Sequence, residues 1–154
     1  MSRHLLIVAH APSPNTRRLR DAAERGARHE AIEGVSVSVR APLEAGPDDV
    51  LGCHGILLGT PENLGTMSGA LKDFFDRSYY PLLEECRGLP CALYVRAGHD
   101  GTGTCRAVEA IVAGLGWQWV QPPLRLRGEW QPSFADQTEE LGLYLAAALD
   151  AGIV

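Results

Sequence analysis

The chain has 154 residues, 45% of them hydrophobic, with 14 Lys+Arg against 19 Asp+Glu and a net charge of -5. That is about the size of one domain able to bury roughly 70% of its unfolded surface, so a single domain over residues 1–154 is expected. Neither charge forms a block, which excludes a nucleic-acid tail or a polybasic membrane patch and favours a small-molecule partner.

The N-terminus enters an apolar run with no leader pattern, and no segment reaches the ~18 apolar residues of a membrane span, so a cytoplasmic protein is expected. Cys53, Cys86, Cys91 and Cys105 read as reduced thiols in a chain of this size, and no cysteine pair with His at zinc spacing follows. No metal site is expected.

Leu5-Leu6-Ile7-Val8-Ala9 is short, continuous and apolar, as a strand buried on both faces of a parallel sheet must be. After His10 to Pro14, the spacing of Leu19, Ala22, Ala23 and Ala27 predicts a helix from Asn15 to about Glu30. Val35 to Val39 alternates at period two and predicts a second strand at a sheet edge. A short helix over 48–52 precedes a third strand, Gly55 to Gly59, which ends in loop formers from Thr60 to Thr66. Leu71, Phe74 and Phe75 then mark a helix over 67–78. Cys91 to Val95 supplies a fourth strand, Ala97 to Gly103 a glycine-rich loop, and Val108, Ile111, Val112 and Leu115 a further helix ending at Gly114 or Gly116. Trp117 to Leu126 is extended but interrupted by Pro122-Pro123, and Gln137 to Leu149 closes the chain as a helix.

Strands alternating with helices imply an α/β, doubly wound parallel sheet with helices on both faces. For five strands ordered 2-1-3-4-5, ligands bind at the carboxyl ends between the first and third strands. The loops that matter are therefore 10–16, 60–66 and 97–103. The first, His10-Ala11-Pro12-Ser13-Pro14-Asn15-Thr16, offers two hydroxyls and an amide just before a helix. A phosphate there would meet the helix terminus, each such interaction being worth about 0.3–1 kcal/mol. The alternative is that Ser13 or Asn15 only caps the helix. The segment is neither a Walker loop nor a G-x-G-x-x-G turn.

Taken together, Ser13-Pro14-Asn15-Thr16 and Pro61-Glu62-Asn63-Leu64-Gly65-Thr66-Met67 resemble the flavodoxin-fold FMN-dependent oxidoreductases, and the likeness spans essentially the whole chain. Against the flavodoxin phosphate-loop pattern hydroxyl-x-hydroxyl-Gly-Asn-Thr, Ser13, Asn15 and Thr16 match, whereas Ala11 and Pro14 replace the first hydroxyl and the glycine. His10 is similar to a histidine that NAD(P)H:quinone reductases of this fold carry beside the cofactor phosphate. The strongest match is Gly59 to Gly69 followed by Lys72 to Arg77: a strand ending in Thr-Pro, a Gly-Thr-Met turn and a helix with Phe-x-Asp-Arg. The resemblance implies a flavodoxin-like fold that binds FMN. Loop 10–16 would hold its phosphate through His10, Ser13, Pro14, Asn15 and Thr16. Pro61, Glu62, Asn63, Leu64, Gly65 and Thr66 would line the ribityl chain and ring, and Gly98, His99, Asp100 and Gly101 would flank the ring's far edge.

By the same resemblance the chain is expected to pass electrons from NAD(P)H through FMN to a quinone, a flavin or another small acceptor, as a homodimer. The flavin carries the chemistry, so no catalytic side chain is required. Two alternatives stay open: an electron-carrier flavodoxin and a domain of this fold without cofactor. Carriers flank the flavin with aromatics, and loops 60–66 and 97–103 contain none. Tyr79, Tyr80 and Trp130 are left as aromatics for packing or for an interface.

Overall fold

The computed structural model describes residues 2–154. Strand β1 (Arg3–Ala9) is buried from Leu5 onward, and its alternation sends Leu5 and Ile7 to one face of the sheet and Leu6 and Val8 to the other. Helix α1 (Pro14–Ala27) follows, with Pro14 in its first turn, where a missing N–H costs nothing. Strand β2 (Val35–Arg40) pairs only with β1 and takes the expected edge position. Helix α2 (Pro47–Leu51) leads into β3 (Gly55–Asn63).

β3 runs four residues further than its apolar core predicts, because Glu62 and Asn63 pair antiparallel with β4 (Thr66–Met67) in a small hairpin. The expected loop 60–66 is thus a ribbon, a correction that rests on its turn. Leu64 (φ 53) and Gly65 (φ 82) both have positive φ, the combination that matches the twist of a two-residue hairpin. Glycine takes this conformation freely; leucine does so at a cost of roughly 1–2 kcal/mol.

Helix α3 (Gly69–Leu82) starts at Ser68, whose hydroxyl accepts from the Leu71 N–H at 3.2 Å, and runs beyond the predicted end through Pro81. β5 (Pro90–Ala97), α4 (Thr102–Leu115), β6 (Gln118–Trp119), β7 (Leu124–Arg127) and α5 (Ser133–Ala151) complete the chain. The parallel order is β2-β1-β3-β5, with β6 and β7 both on the outer side of β5. These two short strands are the predicted fifth strand, split where Pro122 and Pro123 cannot donate to a ladder.

The core is two-layered. Leu5, Ile7, Leu57, Tyr94 and Leu126 pack under α1 and α5, whereas Leu6, Val8, Ile56, Leu58 and Leu93 pack under α3 and α4 with Phe74, Phe75, Val108 and Val112. Each fully buried large side chain contributes about 1.5–3 kcal/mol. The α1–α5 crossing is especially close, since a Cβ on Gly26 would run into the Glu139 carbonyl and one on Gly142 into that of Ala23. No helix among the described residues is long and apolar enough to cross a membrane.

Candidate cofactor site

Because β1, β3 and β5 are parallel neighbours, their carboxyl ends deliver residues 10–16, 60–66 and 98–103 to one edge of the sheet. The loops are tied to each other by backbone. The His10 N–H donates to the Gly59 carbonyl at 2.9 Å, joining the first loop to the second. A Cβ on Gly103 would strike the Gly65 carbonyl, so the tip of the hairpin lies directly on the first turn of α4.

In the first loop, Ser13 is the N-cap of α1 in a capping box with Thr16. The Ser13 N–H donates to Thr16 Oγ1 at 2.9 Å, the Thr16 N–H donates to Ser13 Oγ at 3.2 Å, and the two hydroxyls lie 2.8 Å apart. Thr16 is buried and its hydroxyl also donates to the Ser13 carbonyl at 3.1 Å, so this residue shapes the loop. The Asn15 side-chain carbonyl accepts from Arg18 at 3.1 Å. The structure thus shows the capped helix start, with Ser13 as the cap.

His10 has a buried Nδ1 with no hydrogen-bond partner among the described residues, and burial lowers the imidazole pKa from its ordinary value. A neutral imidazole with an unused ring nitrogen at the end of β1 is suited to a polar ligand group there. In the second loop, Thr60 is buried and holds the hairpin at its root: its hydroxyl donates to the Pro61 carbonyl at 2.8 Å and accepts from the Ser68 N–H at 3.0 Å. Pro61 and Glu62 are half-buried, whereas Asn63, Leu64, Gly65 and Thr66 are exposed.

In the third loop, Gly98, His99 and Asp100 are exposed and Gly101 is buried. The Asp100 carboxylate accepts from the Thr102 N–H at 2.8 Å, and that bond is the main cause holding its pKa below the ordinary value. Arg125, from β7, clamps the same loop by donating to the Asp100 carbonyl at 3.1 Å and to Thr102 Oγ1 at 3.2 Å.

These features fit a flavin mononucleotide. An orphaned imidazole nitrogen and a helix start lie at one end, and two glycine-bearing loops lie at the other; a Cβ on Gly65 or Gly98 would meet nothing within 4 Å. Thr60, Gly103 and Arg125 complete the arrangement although none of them was among the candidate site residues. Thr60 was signalled by its place between a strand and Pro61, whereas Gly103 and Arg125 act through partners far away in the chain.

Of the three spare aromatics, Tyr79 packs over Gly114, Trp130 stands edge-on to Phe134 with centroids 5.6 Å apart, and Tyr80 is exposed. Arg96 lies 5.9 Å from the Trp130 centroid and 5.1 Å from that of Phe134. All four cysteines are free thiols, and no group of three or more His, Cys, Asp or Glu among the described residues is arranged to hold a metal ion.

A five-strand parallel order with the switch between β1 and β3, and three loops converging there, defines the flavodoxin-like class of nucleotide-binding folds. A flavodoxin from the domain Archaea superposes with a TM-score of 0.80 at 18% identity, over 95% of this chain and 98% of that one. The chain belongs to the NADPH-dependent FMN reductase family, whose model matches residues 18–126, and FMN is accordingly its cofactor. Among individual relatives it is 28% identical to a flavodoxin of Aquifex aeolicus (strain VF5), over 73% of this chain and 62% of that protein. It is also 31% identical to an NAD(P)H dehydrogenase (quinone) of Acidithiobacillus ferrooxidans (strain ATCC 53993 / BNL-5-31), over 51% of this chain and 48% of that protein. The chain thus matches less than two thirds of the length of either relative.

Proposed function

We propose that this chain, as one domain, is an enzyme that takes hydride from NAD(P)H onto FMN and hands the electrons to a quinone, a flavin or another small acceptor. The flavin, when bound, supplies the redox chemistry. The protein's part is to hold and orient it. The start of α1, His10 and Asn15 bind the phosphate, with Ser13, Pro14 and Thr16 fixing the shape of that loop. The hairpin from Pro61 to Thr66 and the loop from Gly98 to Gly101 flank the ring.

The observation that carries the enzyme reading is the absence of a capping aromatic on either flanking loop, where Gly65 and Gly98 border open space. Hydride transfer needs the two reacting atoms within about 3–3.5 Å, which requires an uncovered ring face. The likeness to the Aquifex aeolicus flavodoxin supports the second reading, a carrier that exchanges single electrons with other proteins. Anaerobic mixing separates the two. The FMN-loaded protein should bleach directly with NADPH or NADH; a flavin that stays oxidised with both, yet is reduced by an added reductase, establishes the carrier.

We further place the protein in the cytoplasm, which its four free thiols support, and expect a homodimer. Leu64 is 104% and Tyr80 79% exposed, and a cleft of about 480 Å³ lies between the hairpin, α3 and α4, lined by Met67, Ala107 and Ile111 among others. Apolar groups in such a position favour a second subunit. Sedimentation of the FMN-loaded protein should give twice 16.6 kDa; a 16.6 kDa species at micromolar concentration removes the dimer.

A further inference from the structure

On the far side of β7 from β5, a cleft of about 550 Å³ runs between this outermost strand and α5. Its walls are of two kinds. Arg125 and Arg127 stand at the strand, with Glu140 and Gln137 across from them on α5; Tyr144, Leu141 and the Pro122-Pro123 pair supply flat apolar surface. Arg127 is exposed and has no ion-pair or side-chain hydrogen-bond partner among the described residues. Arg125 also has no ion-pair partner among them, and its guanidinium reaches the third loop at Asp100 and Thr102. In a chain of net charge -5, Arg127 stands in this cleft without a partner, beside an Arg125 whose guanidinium is anchored on the third loop, and the two together outweigh Glu140 and offer a place for an anion.

The cleft also adjoins the third loop. Arg127 is in register with Ala97, the residue that opens the third loop, and the Gly128 N–H donates to the Ala97 carbonyl at 3.0 Å. Arg125 is shared, lining the cleft while clamping the loop. A ligand whose reactive end lies against that loop can therefore extend its other end along β7. A volume of this order suits a nucleotide, for which pockets of about 300–1,000 Å³ are usual.

We infer that the β7–α5 cleft is a second binding site, for the phosphate-bearing adenosine half of the pyridine dinucleotide. Arg127 and Arg125 meet its phosphates, Tyr144 and the two prolines lie against the base, and Glu140 and Gln137 face its hydroxyls. The pairing favours NADPH over NADH, because an extra phosphate finds a guanidinium without a competing partner. The inference rests on the NAD(P)H reading of the ring site.

The test uses FMN-loaded protein and adenosine 2′,5′-bisphosphate, which lacks nicotinamide and reports binding without reduction. Backbone amide signals of residues 121–127 and 137–144 should shift on titration. Arg127→Ala should raise the Kd at least tenfold and Arg127→Glu more, with FMN affinity unchanged. In anaerobic mixing, Arg127→Glu should raise the NADPH concentration for half-maximal bleaching by the same factor and leave the limiting rate in place. Shifts confined to other residues, or equal Kd values for the parent and Arg127→Glu, overturn the cleft while leaving the ring-site reading intact. A parent that neither NADPH nor NADH bleaches overturns the ring-site reading, whatever the bisphosphate does.

Discussion

The molecule brings backbone against backbone through glycine in two places, and the two serve different ends. At the α1–α5 crossing, Gly26 lies on the Glu139 carbonyl and Gly142 on the Ala23 carbonyl, deep between two helices flanked by buried Leu19, Ala23, Leu145 and Ala146. At the sheet edge, Gly103 lies on the Gly65 carbonyl, between the first turn of α4 and an exposed hairpin. In the first place, nothing can move without opening the core. In the second, the hairpin can swing outward into solvent. The same residue type therefore secures the fold at one contact and sets the spacing of the cofactor loops at the other.

The largest expected effect tests the closed contact. Gly142→Ala forces a methyl group into a helix backbone, and overpacking of this kind costs about 3 kcal/mol. Urea denaturation should show that loss, and Tm should fall by roughly 6–12 °C for a domain of this size. A Tm within two degrees of the parent, in round terms, means the helices separate freely and the contrast disappears.

Gly103→Ala tests the open contact. The hairpin has room to yield, so stability should change by less than about 1 kcal/mol, whereas the ring-flanking loops move apart and FMN binding weakens about tenfold, or 1.4 kcal/mol. Quenching of flavin fluorescence on titration measures it. Equal FMN affinity in the variant and the parent would show that the hairpin's position does not matter to the site.

These two contacts also mark what could be read from the sequence. The strand–helix alternation was legible because Leu5 to Ala9, Ile56 to Leu58 and Cys91 to Val95 are buried on both faces and so carry continuous apolar runs. Ser13 was legible as a cap candidate, alongside Asn15, because a cap is local to one turn, whereas the reciprocal box it forms with Thr16 was not read. The hairpin was not, because Leu64 is a poor turn residue by its own conformational preference and nothing in residues 60–66 alternates. Gly103 against Gly65 and Arg125 against Asp100 were not legible for a different reason: each depends on which loops the sheet order makes neighbours. The split of the last strand was half-legible, since Pro122-Pro123 announces the interruption but not that both halves pair with β5.

A third prediction, smaller again, concerns the loop that leads into α1. Ser13→Ala removes the cap on α1 and leaves the Thr16 N–H without its acceptor, at a cost of about 1 kcal/mol in stability. FMN affinity should fall with it, because on the proposed placement the same helix start meets the phosphate. A stability loss with no change in FMN affinity makes Ser13 a cap only.

The smallest effect is the dependence on pH, and it separates the cofactor edge from the rest of the sheet. Burial lowers the His10 pKa, and His4 at the opposite end of β1 is lowered too, first by burial and then by His54, Arg40 and Arg28. For a histidine whose folded pKa lies below its unfolded value of about 6.5, stability is unaffected above that pH. As pH falls through it, the unfolded chain takes up the proton first and stability drops, levelling once pH passes the depressed folded value. Without FMN, His10→Gln should therefore lose less stability between pH 7 and pH 5 than the parent, in round terms, with the contribution of His4 left in both. With FMN bound, a phosphate beside His10 favours the imidazolium and raises its folded pKa, so the parent's extra loss should shrink or vanish. Denaturation midpoints across that pH range, with and without FMN, decide it. If the parent's excess loss over His10→Gln is the same in both states, the imidazole is out of reach of the phosphate, and His10 belongs to the framework of the sheet edge and not to the cofactor site.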